Sequence, residues 1–99
     1  MEEKMKVEIT ARHIDLSKNL KEYIEGEMGR LSKVYDRIID VQVILEVEAH
    51  SQYSVEIIVN VPKKQLVIKQ KADDETKAID EAMEKMVRQL KKYKEKLRQ

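Results

Sequence analysis

The sequence has no cysteine, no tryptophan and no phenylalanine, only two glycines and one proline. Absence of cysteine excludes disulfides and the usual structural zinc sets. So few glycines and prolines exclude a linker or a collagen-like chain. No apolar run approaches the roughly 20 residues of a membrane-spanning helix. The opening Met1-Glu2-Glu3-Lys4 is acidic and carries no apolar segment, so no secretory signal is visible. Neither sign of charge dominates. Twenty basic residues against 19 acidic ones give a net charge of +1, which is neither a polybasic tail nor an acidic disordered segment. What is present is 99 residues, 41% of them apolar. That is the size of one domain, with enough apolar residue for a core. The expectation is one soluble cytoplasmic domain spanning 1–99.

The even total hides an asymmetry. Residues 1–62 hold 8 basic and 12 acidic residues, a net of −4, whereas residues 63–99 hold 12 and 7, a net of +5. From Lys85 onward come Lys85, Arg88, Lys91, Lys92, Lys94, Lys96 and Arg98 against Glu95 alone. The C-terminal element is the strongest electrostatic feature of the chain.

Hydrophobic periodicity sets out the elements. Met5, Val7, Ile9 and Ala11 alternate with polar residues, as in a half-buried strand. Ser17 stands at a helix N-cap position, and Leu16, Leu20, Tyr23, Ile24, Leu31, Val34 and Tyr35 follow at helical spacing. The stripe continues past Gly26 and Gly29, which predicts one helix there, with the glycines giving close packing onto a sheet. Val41, Val43, Leu45 and Val47 alternate, as do Tyr53, Val55, Ile57, Val59 and Val61, with a turn near 49–52 between them. Pro62, Lys63 and Lys64 make the next turn, and Leu66, Ile68 and Ala72 share a face beyond it. Asp73 and Asp74 are both suited to cap a final helix whose stripe runs Ile79, Ala82, Met83, Met86, Val87, Leu90, Tyr93 and Leu97. The order is β-α-β-β-β-α. A right-handed crossover brings the second strand parallel to the first, and a meander follows. The expected fold is α+β, a two-layer sandwich of a four-stranded sheet with both helices on one face. The other face carries Lys6, Glu8, Gln42, Glu46, Glu48, Glu56, Lys69 and Lys71, and reads as solvated.

Signs of an enzyme are missing. His13 follows the first strand and His50 sits at a hairpin tip, and neither has a second metal ligand at a useful spacing. There is no glycine-rich phosphate loop and no Gly-x-Ser-x-Gly elbow. The reading is no enzyme, no cofactor, no metal and no small-molecule substrate.

The final helix carries the functional signal. With Ile79 at zero and about 100° per residue, its apolar stripe spans roughly 300° to 80°. Lys85, Arg88, Lys92 and Lys96 then fall between about 180° and 260°, stacked on one flank. The one acid on that arc is Glu81. Neighbouring like charges on a helix repel by a few tenths of a kcal/mol per pair. An uncompensated row points to an external polyanion, and phosphate suits helix-borne Lys and Arg. The plainer alternative is a charged helix that only keeps the protein soluble. Aromatics are sparse and sit on or beside apolar stripes, which disfavours base stacking on the sheet. Arg30 and Lys33 on the first helix join the same side, with Asp36 and Asp40 marking an edge.

An α-β-β-β-α core with basic helices on one face is similar to the double-stranded-RNA-binding-domain plan, here with an extra leading strand. The combination resembles the ribosome hibernation promoting factors, ribosome-associated translation inhibitors also described as sigma-54 modulation proteins. Val7-Glu8-Ile9-Thr10 and Ile14-Asp15-Leu16-Ser17 look like that family's first strand and turn. Leu31 through Tyr35-Asp36-Arg37-Ile38 looks like the end of its first helix. Most specific is Ala78-Ile79-Asp80 followed by Lys85-Met86-Val87-Arg88-Gln89-Leu90-Lys91-Lys92-Tyr93-Lys94. The resemblance implies binding in the cleft of the small ribosomal subunit, over the mRNA and tRNA positions, silencing ribosomes in stress or stationary phase. It carries RNA-facing roles onto Arg30, Lys85, Arg88, Lys92 and Lys96. With their neighbours, the expected RNA-binding set is Arg30, Lys33, Lys85, Arg88, Lys91, Lys92 and Lys96. Two positions depart from the family pattern. Thr76 stands where an aromatic residue is frequent, and Glu27 where a basic one is. Long members carry a further domain that dimerises ribosomes, so the expectation is a short form or the N-terminal domain of a long one.

The expected mechanism is steric occlusion without chemistry, by a monomer on small-subunit rRNA. Two alternatives stay open. One is a non-ribosomal double-stranded RNA binder, which would prefer isolated duplex. The other is a protein–protein adaptor modulating a transcription factor, which would bind with little salt dependence.

Overall fold

The computed structural model describes residues 5–97. Its elements run β1 (Lys6–Arg12), α1 (Lys18–Gly29), α2 (Leu31–Val34), β2 (Asp40–Glu48), a 3-10 turn (Ala49–Ser51), β3 (Gln52–Val61), β4 (Lys64–Ala72) and α3 (Glu75–Leu97). The expected α+β order is observed, with the first helix in two pieces.

The strands lie side by side in the order β1-β2-β3-β4. β1 pairs parallel to β2, with Val7 opposite Val41 and Ile9 opposite Val43. A parallel pair needs a crossover connection, which α1 and α2 supply. β2, β3 and β4 form the antiparallel meander, with Val43 opposite Ile57 and Ile57 opposite Ile68. Strand alternation puts Val41, Val43, Leu45, Val55, Ile57, Val59, Val61 and Leu66 on one face, all buried. Ile24, Met28 and Leu31 cover them from the first helix, and Ala78, Ile79, Ala82, Met83, Met86 and Leu90 from α3. Fully burying one large side chain of this kind stabilises by about 1.5–3 kcal/mol. Both helices therefore cover a single sheet face. The slab measures 45 × 29 × 18 Å.

The Ser17 cap is as expected, with its hydroxyl accepting the Leu20 N–H at 3.1 Å. The unbroken first helix is not. α1 stops at Gly29, where the Arg30 N–H bonds back three residues to Glu27 and the Lys33 N–H to Arg30, each at 3.1 Å. These tight 3-10-type bonds pinch the helix. The Gly29 carbonyl is taken by the Ser32 hydroxyl at 2.7 Å. The glycines do not serve close packing either. A Cβ placed on Gly26 or Gly29 would meet nothing within 4 Å, and both residues are exposed.

At the start of α3 one of the two aspartates is the cap. Asp74 accepts the Lys77 N–H on its carboxylate and the Ala78 N–H on its carbonyl, both at 3.0 Å. Asp73 instead pairs with Lys77 at 3.8 Å. The backbone of His50 lies in the 3-10 turn, at the expected hairpin tip; its side chain falls outside the described residues.

Candidate nucleic-acid interface

α3 is one continuous 23-residue helix. Its length fixes the angular order of its side chains, so burial of Ile79, Ala82, Met83, Met86 and Leu90 turns the opposite flank to solvent. Lys85, Arg88, Lys92 and Lys96 are all exposed on that flank. Successive members are three or four residues apart and are surface neighbours. Among the described residues, no carboxylate forms an ion pair with any of the four, or with Lys91. The basic last turn also complements the C-terminal end of the helix dipole.

Other basic residues of this helix do different work. Lys94 is half-buried, and its ammonium donates to the Val34 carbonyl at 3.4 Å, closing the end of α2. Next to it, Tyr93 meets Tyr35 edge to face, with ring centroids 5.6 Å apart, and its hydroxyl donates to the Pro62 carbonyl at 3.0 Å. Lys64 lies over the Tyr93 ring at 5.9 Å. Burial of Tyr35 pushes its phenol pKa above the ordinary value.

Within this row Lys85 is the tethered member, its ammonium donating to the Gln70 side-chain oxygen at the edge of the sheet. The same amide donates to Glu81 at 3.1 Å. Gln70 thus accounts for the one acid on the basic arc, holding its carboxylate against β4. Lys91 is exposed but sits about 100° from Lys92 around the helix, between Glu84 and Glu95. Lys33 is exposed in the last turn of α2.

Arg30 and Arg88 both line a shallow groove between α1 and α3. Met83 and Val87 line it, as do Tyr23, Glu27, Asp80 and Glu84. One Arg30 nitrogen lies 3.2 Å from both carboxylate oxygens of Glu27. The Glu27 side chain is only 19% exposed while that of Arg30 is 63% exposed. This explains an acid close to the apolar stripe. Glu27 lies in the groove wall, and its charge is met by Arg30. Across the groove the Tyr23 hydroxyl donates to the Asp80 carboxylate. That bond, with desolvation and the nearby acids adding to it, pushes the Tyr23 pKa up to about 12.

Sequence patterning gives Gln70, Tyr23 and Asp80 no part in the site, although Tyr23 stands on the apolar stripe and Asp80 in the Ala78-Ile79-Asp80 run. Gln70 carries a signal, since it is a polar residue on the face that Leu66, Ile68 and Ala72 share. The Tyr23–Asp80 contact spans 57 positions and has no local pattern. Among the described residues, no cluster of three or more His, Asp or Glu side chains converges to hold a metal ion.

Fold and surface together define a small α+β domain with a basic helix flank on one layer and a mixed-charge sheet face on the other. The chain belongs to the Sigma 54 modulation protein / S30EA ribosomal protein family, which matches residues 7–98. It is similar to the ribosome hibernation promoting factor of Pseudomonas putida, 36% identical over 92 residues, which cover 93% of this chain and 89% of that protein. The Escherichia coli protein of the same name is 30% identical over 95 residues, covering 96% and 99%. A ribosomal subunit interface protein from Coxiella burnetii superposes with a TM-score of 0.84 at 28% identity, covering 91% of this chain and 98% of that one. The N-terminal domain of Thermus thermophilus Protein Y shares the fold, with a TM-score of 0.82 at 22% identity over 90% and 99% of the two chains.

Proposed function

We propose that this protein binds the small ribosomal subunit through the basic flank of α3, and that its bulk then blocks the mRNA and tRNA sites. The observation that carries the reading is the exposed row Lys85, Arg88, Lys92 and Lys96, which no described carboxylate pairs. Family membership and the names of the relatives support a ribosomal partner. Arg30, Lys33 and Lys91 extend the contact along the same layer. The action is occupation of space and needs no bond-making. A slab 45 × 29 × 18 Å is sufficient obstacle. The single domain acts as a monomer, without cofactor, in the cytoplasm where ribosomes are, and its inhibition of translation serves hibernation under stress.

The test is co-sedimentation with purified small subunits across a salt series, with a short RNA duplex as competitor. The four phosphate contacts of the row alone, at about 0.7 each, contribute about −3 to the log–log salt slope, a roughly 50-fold loss between about 50 and 200 mM salt. Salt-sensitive pelleting that duplex does not compete supports the proposal. Competition by duplex would favour a general double-stranded RNA binder. Failure to pellet at low salt would overturn the reading.

A further inference from the structure

Beyond the apolar core that they share, the first helix and α3 are tied through polar and aromatic side chains at two places. At one end Lys94 reaches the Val34 carbonyl and Tyr93 packs on Tyr35. At the other, the Tyr23 hydroxyl donates to Asp80. Asp80 and Lys94 are 14 residues apart, about 21 Å along the helix. Between the ties lies the groove, with Arg30 on one wall and Arg88 on the other. Arg30 sits one residue past the pinched end of α1, and its side chain is steered by Glu27. Its position relative to Arg88 therefore depends on how far α1 stands from α3. Among the described residues, Tyr23–Asp80 is the one side-chain hydrogen bond that joins α1 to α3.

We propose that the Tyr23–Asp80 hydrogen bond is a strut that fixes the spacing of α1 from α3, making Tyr23 and Asp80 positioning residues for Arg30 and Arg88 on RNA phosphates. The proposal rests on the RNA-binding role given above. A phosphate contact needs its cation at one place, and two cations on separate helices serve one run of phosphates only if the helices keep their distance. Donation from the phenol also engages a carboxylate that would otherwise face the RNA as a bare acid.

Tyr23→Phe removes the donor and keeps the ring. Asp80→Asn keeps the side-chain oxygen that accepts the bond and removes the charge. Both are measured by small-subunit co-sedimentation over the salt series, with thermal melting as the check on folding. Tyr23→Phe is expected to weaken binding by roughly threefold to tenfold, the range of one net hydrogen bond. Its salt slope should lose about 0.7, one contact. Arg30→Ala should weaken the wild-type protein and add little to Tyr23→Phe. Asp80→Asn is expected to bind as well as wild type or better. A merely structural role would lower the melting temperature without moving the salt slope or coupling to Arg30. Wild-type slope and affinity in Tyr23→Phe, with Arg30→Ala still costing its full effect there, would overturn the strut alone. No binding by the wild-type protein would overturn the ribosomal reading and the strut's purpose with it.

Discussion

Neutralising the middle of the basic row separates binding from folding. Consider Arg88→Gln with Lys92→Gln. Both residues are exposed, and no described acid pairs with either. Their removal costs no buried contact and no ion pair. It relieves like-charge repulsion between neighbours one turn apart, worth a few tenths of a kcal/mol for each pair. Three such pairs are relieved, so stability should stay level or rise, by up to about 3–6 °C in Tm for a domain of this size. Binding should move the other way. Two of the row's four phosphate contacts remain, so the row's share of the salt slope falls from about −3 to about −1.4. The row's share of the affinity lost between about 50 and 200 mM salt shrinks from roughly 50-fold to roughly 7-fold. Scanning calorimetry and the salt-series co-sedimentation read the two effects independently. An unchanged slope would remove the row from the interface. A fall in Tm of 10 °C or so, the mark of a lost buried contact, would show that α3 presents a different face to the core.

Three further outcomes follow from the packing and the tyrosines. Gly26→Ala, in mid-helix with open space around its Cα, should stabilise the protein by about 0.5–1 kcal/mol in denaturant unfolding; destabilisation would mean that the glycine packs on a neighbour. Met86→Ala opens a cavity at a fully buried position between α3 and the sheet and should cost about 2–5 kcal/mol in the same measurement, whereas a cost below 1 kcal/mol would place Met86 outside the core. In an ultraviolet titration, Tyr23 and Tyr35 should ionise later than free tyrosine, Tyr23 near pH 12. Between about pH 10 and 12 the unfolded chain gives up the Tyr23 proton and the folded chain keeps it, so stability falls as pH rises through that window. Asp80→Ala should bring the late-ionising tyrosine down toward the ordinary value, and a Tyr23 titration unchanged by that substitution would deny the bond to Asp80.

Most of the fold is legible in the sequence because its elements announce themselves locally. Alternation of Val41, Val43 and Leu45 or of Val55, Ile57 and Val59 permits one burial pattern only, and strand parity then puts both helices on the same face. The basic row is legible for the same reason, since a helix of known stripe fixes where Lys85, Arg88, Lys92 and Lys96 point. What escapes is set by tertiary contact or by competing local bonds. The break after Gly29 depends on three-residue backbone bonds and the Ser32 hydroxyl, which hydrophobic spacing does not record. Glu27 reads as an anomaly until Arg30 is seen beside it. Gln70 reads as a gap in an apolar face until it is seen holding Glu81 and Lys85.

The central claim is that the α3 flank, and not the open sheet face, lies on ribosomal RNA. The absence of cysteine makes single-site labelling clean. Glu95→Cys places an iron chelate beside the row on α3, and Thr10→Cys places one on the exposed face of β1. Hydroxyl radicals released from bound protein should cut small-subunit rRNA strongly from Glu95→Cys and weakly or not at all from Thr10→Cys. Strong cutting from Thr10→Cys with none from Glu95→Cys would contradict the account.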